Sequence, residues 1–96
     1  MEKLIAELGR VVRSTAGRDE GKYFIIFGVL DENFVLIVDG RFHKLSNPKK
    51  KNIKHLKLIK ETIKVLTEKL KKGTKVFDSE VYKALKVYNE KDKKEE

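Results

Sequence analysis

The chemistry this chain can do is concentrated in one window. From Arg41 to Lys60 it carries eight basic side chains (Arg41, Lys44, Lys49, Lys50, Lys51, Lys54, Lys57 and Lys60) and no acidic one. The remaining 15 basic residues are matched by 15 acidic ones, so this window holds the whole of the +8 formal charge. A block of cations without compensating carboxylates makes a surface that attracts polyanions. A second pair, Arg18 and Lys22, projects from the glycine-bearing stretch Ala16-Gly17-Arg18-Asp19-Glu20-Gly21-Lys22. Arg18 is the strongest single candidate for a phosphate contact, because its planar fork grips two oxygens at once. Phe42 and His43 lie inside the basic window, where one ring could stack on an unpaired base. Strand alternation turns only one of them outward, and the expectation is His43 exposed with Phe42 in the core. His55 lies in Asn52-Ile53-Lys54-His55-Leu56, where it could meet a phosphate or bond the backbone.

Other chemistries are poorly served. There is no cysteine, and two histidines alone do not make a zinc site, so neither a metal nor a cofactor is expected. No nucleophile–base pair and no phosphate-binding P-loop can be picked out, and the chain reads as a non-enzyme. Asp19, Glu20, Asp31, Glu32 and Asp39 neighbour glycine or asparagine and read as turn residues. The longest apolar run, Tyr23 to Leu30, is far shorter than a membrane span. Glu2, Lys3 and Glu7 interrupt the aliphatics at the start, which is unlike a signal peptide. These features predict a soluble, cytoplasmic protein without membrane contact. Ninety-six residues suffice for one modest core.

The basic residues must be positioned by short strands. Leu8–Ser14, Lys22–Leu30 and Phe34–Val38 are rich in β-branched and aromatic residues, and Asp31-Glu32-Asn33 joins the last two as a hairpin. Asp39-Gly40 is a tight-turn pair leading into a fourth strand, Arg41–Leu45, which Ser46-Asn47-Pro48 breaks. Ile53–Leu58 makes a fifth, and five short strands with tight turns predict a small barrel. The second and third strands are apolar on both faces, so another layer must cover the outside. Ile59, Ile63, Leu66 and Leu70 follow helical spacing up to Gly73, although Val65 leaves a strand at 62–67 open. Val81, Ala84, Leu85 and Tyr88 form the apolar stripe of a last helix with Asp78 as its N-cap. The expected division is a barrel over 1–60, a helical extension over 61–89 packing on it, and a disordered charged tail over 90–96.

The stretch from Glu7 to Asn33, ELGRVVRSTAGRDEGKYFIIFGVLDEN, resembles a KOW motif, with Gly17 at the motif's glycine position. Gly9-Arg10-Val11-Val12, Ala16-Gly17-Arg18-Asp19, Asp39-Gly40 and Asn52-Ile53-Lys54-His55-Leu56 occur in an order similar to archaeal and eukaryotic large-subunit ribosomal proteins of the L-fourteen-e type. The resemblance covers about residues 8–58. It implies a mostly β fold, an SH3-like KOW barrel followed by one or two helices, binding ribosomal RNA through the first loop and basic strands. Arg10, Arg13, Arg18 and Lys22 are RNA-contact candidates on that basis. Structured ribosomal RNA and other ribosomal proteins are then the expected partners, with the chain a monomer off the ribosome. Two other readings stay open: an SH3-like module binding an acidic protein, and an accessory KOW protein of transcription or translation.

Overall fold

A computed structural model describes residues 5–94. Five strands, β1 (Arg10–Ser14), β2 (Tyr23–Val29), β3 (Phe34–Val38), β4 (Lys49–Asn52) and β5 (Leu56–Thr62), precede two helices, α1 (Lys64–Lys72) and α2 (Asp78–Lys94). All strand pairs are antiparallel, in the order β4-β3-β2-β1-β5. The outermost strands are joined by one 3-10 turn, Ile53–His55. The edges of a flat five-stranded sheet would lie roughly 19 Å apart, whereas three residues of 3-10 helix span about 6 Å. The sheet therefore curls into a barrel-like shape with its two edges brought near each other.

The period of two along the strands sorts the apolar side chains into two cores. Val12, Phe24, Ile26, Val35, Ile37 and Leu56 fill the concave interior. Val11, Ile25 and Val38 point the other way and are covered by Leu66 of α1 and by Val81 and Leu85 of α2. All the members of both sets are buried, each worth about 1.5–3 kcal/mol relative to exposure. The second apolar face of β2 and β3 is thus the seat of the helices. Tyr23 and Tyr88 stack at 5.4 Å, and the Tyr23 N–H donates to Asn89 Oδ1 at 3.1 Å, which pins α2 beside the start of β2. Burial, with Glu61 and Tyr23 nearby, pushes the Tyr88 phenol above its ordinary pKa.

Several expectations need correction. Arg41–Leu45 is a turn, not a strand. The Asp39 carboxylate accepts from the Arg41 and His43 N–H groups at 2.9 and 2.8 Å, so donors that a ladder would need are already engaged. The fourth strand is instead Lys49–Asn52, paired with β3 from Phe34↔Asn52 to Ile37↔Lys49. Pro48 immediately precedes it and costs no ladder bond. Ile53–His55 is a 3-10 turn because Asn52 Oδ1 caps it by accepting from the Lys54 N–H. β5 consequently starts at Leu56 and extends to Thr62, which moves the barrel boundary beyond residue 60. Ile59 lies on that strand rather than on the first helix, though it still packs against the helix-side core. Residues 64–72 are helical, as the aliphatic spacing predicts, and Gly73 ends the helix.

At α2 the reach-back comes from Glu80, whose Oε2 accepts from the Phe77 N–H at 3.3 Å. Asp78 is not the N-cap but lies in the first turn, and its Oδ1 accepts from the Leu45 N–H at 2.8 Å, tying the helix to the 39–45 turn. The tail expected to be disordered from residue 90 is helical as far as Lys94, and residues 95–96 lie outside the described residues. Lysine and glutamate are good helix formers, and the Lys86–Glu90 pair at 3.7 Å supports the last turns. No helix among the described residues is long and apolar enough to cross a membrane.

Candidate nucleic-acid interface

The loop joining β1 to β2 is held from within and from outside. Its own bonds close tight turns: Gly21 N–H to Ser14 O at 2.8 Å, Lys22 N–H to Asp19 O at 2.9 Å, and Ser14 Oγ–H to Ala16 O at 3.0 Å. Gly17 takes φ +81°, a left-handed backbone that a side chain with a β-carbon resists. Three other segments then clamp the loop. The Thr15 N–H donates to His55 O at 2.9 Å, Lys51 Nζ donates to Ala16 O at 3.2 Å, and Lys49 Nζ donates to Asp19 Oδ2 at 2.5 Å. His43 Nε2 stands 3.4 Å from the same carboxylate oxygen.

Asp19 is the centre of this arrangement. Its side chain is 10% exposed. Burial pushes the carboxyl's pKa up, but the hydrogen bond and charge of Lys49, with help from His43, outweigh it and hold the group below its ordinary value. The residue that reads in sequence as a turn former is thus a buried anion that draws together the first loop, the 39–45 turn and β4. The detectable signal was a pair of carboxylates, Asp19 and Glu20, between two loop cations in a chain that also carries an uncompensated lysine block.

The predicted site residues divide accordingly. Arg18 and Lys22 are exposed on the loop, and Lys22 Nζ lies 5.1 Å from the centre of the Phe42 ring. Arg41 is exposed near two rings, 5.3 Å from Phe42 and 5.8 Å from Tyr82. Lys49, Lys51 and His43 join this group through Asp19 and Ala16. Lys50 points to the other side of β4, over the Phe34 ring at 4.5 Å, so the lysine run does not present one face. Lys44, Lys54, His55 and Lys57 are exposed, without a salt-bridge partner among the described residues.

Three residues sit otherwise than their expected roles suggest. Arg10 is 7% exposed, with its guanidinium donating to the carbonyls of Ile5, Ile59 and Lys60 and to Glu7 Oε1. It ties β1 to β5, and its guanidinium is taken up by protein acceptors. Arg13 is half-buried 6.0 Å from the Tyr23 ring, on the helix side of β1. Phe42 and His43 exchange places: Phe42 is 69% exposed, while His43 turns in to Asp19 and the Phe24 ring at 5.7 Å. Alternation does not apply to them because they belong to a turn.

The fold and this surface define a class: a small barrel-like β domain, helices seated on one flank, and a first loop clamped among basic residues. Sequence comparison carries the assignment further. The chain is 35% identical over 79 residues to the large ribosomal subunit protein eL14 of Hyperthermus butylicus, covering 82% of this chain and 74% of that protein. It is 31% identical over 81 residues to that of Aeropyrum pernix, covering 84% and 74%. The match to the eL14 protein of Desulfurococcus amylolyticus is 39% over 59 residues, 62% of each chain. The chain therefore belongs to the eL14 family of large ribosomal subunit proteins. It spans 62–74% of the length of these relatives. No protein-family model matches it.

Proposed function

We propose that this chain is a non-catalytic RNA-binding protein of the large ribosomal subunit. It engages the phosphate backbone of structured ribosomal RNA through Arg18, Lys22, Arg41 and the adjoining lysines. The observation that carries the reading is the Asp19 anchor. The sequence separates the loop cations from the lysine block, and Asp19 ties the loop that carries Arg18 and Lys22 to Lys49 of β4 and His43 of the 39–45 turn. The names of the relatives supply the ribosomal context. Phosphate contacts fix position without reading sequence, and A-form RNA is met mainly by shape and backbone. Binding assays with large-subunit RNA fragments across a salt series test this. Four to six engaged phosphates give a slope of log affinity against log salt of roughly −3 to −5. A flat salt profile, or failure of the protein to co-sediment with large subunits at low salt, would overturn it.

A further inference from the structure

The described residues include several exposed apolar side chains, and Phe42 is the most exposed of the large ones at 69%. Its surroundings are the opposite of a loose loop. Asp39 Oδ1 holds the N–H groups of Arg41 and His43, on either side of Phe42, and His43 O accepts from the N–H groups of Asp39 and Gly40 at 2.9 and 3.2 Å. Gly40, at φ +79°, sits so close to α2 that a β-carbon there would collide with the Asp78 carbonyl. The turn is therefore fastened to the helix, and His43 is drawn inward to Asp19. The ring between these anchors is presented outward by a rigid frame.

We infer that Phe42 is a stacking platform for one unpaired RNA base, with Lys22 and Arg41 placed to meet the phosphates that flank it. This deepens the RNA-binding reading and rests on it. Aromatic faces stack on any base, and neighbouring cations take the backbone, which is the usual combination at single-stranded nucleic-acid sites. Lys22 and Arg41 come from different loops, lie over the ring within 5.3 Å of its centre on flexible stems that can swing aside for a base, and have no carboxylate partner among the described residues. Tyr82, 38% exposed, lies 5.8 Å from the Arg41 guanidinium. An apolar protein ligand would find one ring rimmed by charge rather than a wide apolar patch, so the surroundings favour a nucleotide.

The test uses two RNA hairpins of equal length that differ by one bulged nucleotide, with the intact protein as wild type, Phe42→Leu and Phe42→Trp. Wild type should prefer the bulged hairpin. Phe42→Leu should lose roughly 5- to 150-fold on that hairpin and keep its affinity for the unbulged one, with the same salt slope. Phe42→Trp should keep the preference, its fluorescence quenched by the bulged RNA. Thermal melts confirm that both variants are folded, as an exposed position allows. If Phe42→Leu retains full affinity for both hairpins while Arg18→Ala weakens both, stacking is wrong and backbone binding stands. If wild type binds neither RNA, the RNA reading falls and the platform with it. Phe42-dependent binding of an acidic peptide in place of RNA would overturn both in favour of a protein partner.

Discussion

At the scale of single residues, charge and function part company. Asp19 puts a negative charge into a basic surface, so electrostatics alone says that Asp19→Asn should tighten RNA binding. The structure argues the reverse, because Asp19 positions the loop that displays Arg18 and Lys22. Asp19→Asn should weaken RNA binding several-fold, read by titration at fixed salt, and cost about 1–2 kcal/mol of stability. Tighter binding by the variant would sink the positioning role. Because the folded-state pKa is depressed, the stabilisation is fully present above the unfolded value of about 3.9 and disappears as pH falls through the lower folded value. The stability gap between wild type and Asp19→Asn should therefore hold steady above about pH 5 and close in more acidic solution. Arg10 and Arg18 make the complementary pair. Arg10→Ala leaves buried carbonyls unpaired and should cost about 2–4 kcal/mol. Its RNA affinity, measured where it is folded, should be unchanged. Arg18→Ala should do the opposite, keeping the melting temperature and losing affinity. The family resemblance made both arginines phosphate candidates. Only the register of β1 against β5, set by long-range pairing, separates them.

At the scale of elements, the first three strands were legible and the fourth was not, for a definable reason. β1 to β3 carry β-branched and aromatic residues in two-sided alternation, and their contacts reproduce the two faces that the alternation implied. Lys49–Asn52 has no such signature. It is a strand because β3 offers a free edge, and its lysines suit an outer strand that must not recruit another chain. Arg41–Leu45 had the better strand composition but was captured by the Asp39 side chain. The first loop offers a direct test of local geometry. Gly17 is at φ +81°, and the nearest atom to a β-carbon added there would be Lys51 Nζ at 3.7 Å, so the obstacle is backbone strain rather than collision. Gly17→Val should cost about 1–2 kcal/mol, seen as a melting-temperature drop of roughly 4–16 °C. It should also weaken RNA binding by displacing Arg18. An unchanged melting temperature with unchanged binding would remove the loop from the site.

At the scale of the whole molecule, the helices and the basic surface make separate claims. The outer apolar face of the sheet, Val11, Ile25 and Val38, is covered by α1 and α2, so deleting residues 77–96 should expose it and produce aggregation on size-exclusion chromatography. A truncated protein that stayed monomeric and equally stable would make α2 an appendage. RNA affinity poses the harder question, whether placement or total charge drives it, since the +8 excess alone would attract any polyanion. Lys49 and Lys51 are poor probes, because reversing them would also break the loop's anchors. Arg18, Lys22 and Arg41 are exposed and unpaired with any carboxylate among the described residues. Replacing all three with glutamine removes three units of charge from the proposed surface. The same change at Lys91, Lys93 and Lys94 removes three from a stretch where Glu90, Asp92, Glu95 and Glu96 already offset them. If the loop surface holds the phosphates, the first variant should flatten the salt slope by roughly two to three and weaken binding to all RNAs alike. The second should change the slope by much less than one. Equal losses would show that net charge governs binding, and an intact slope in the first variant would move the RNA to another face.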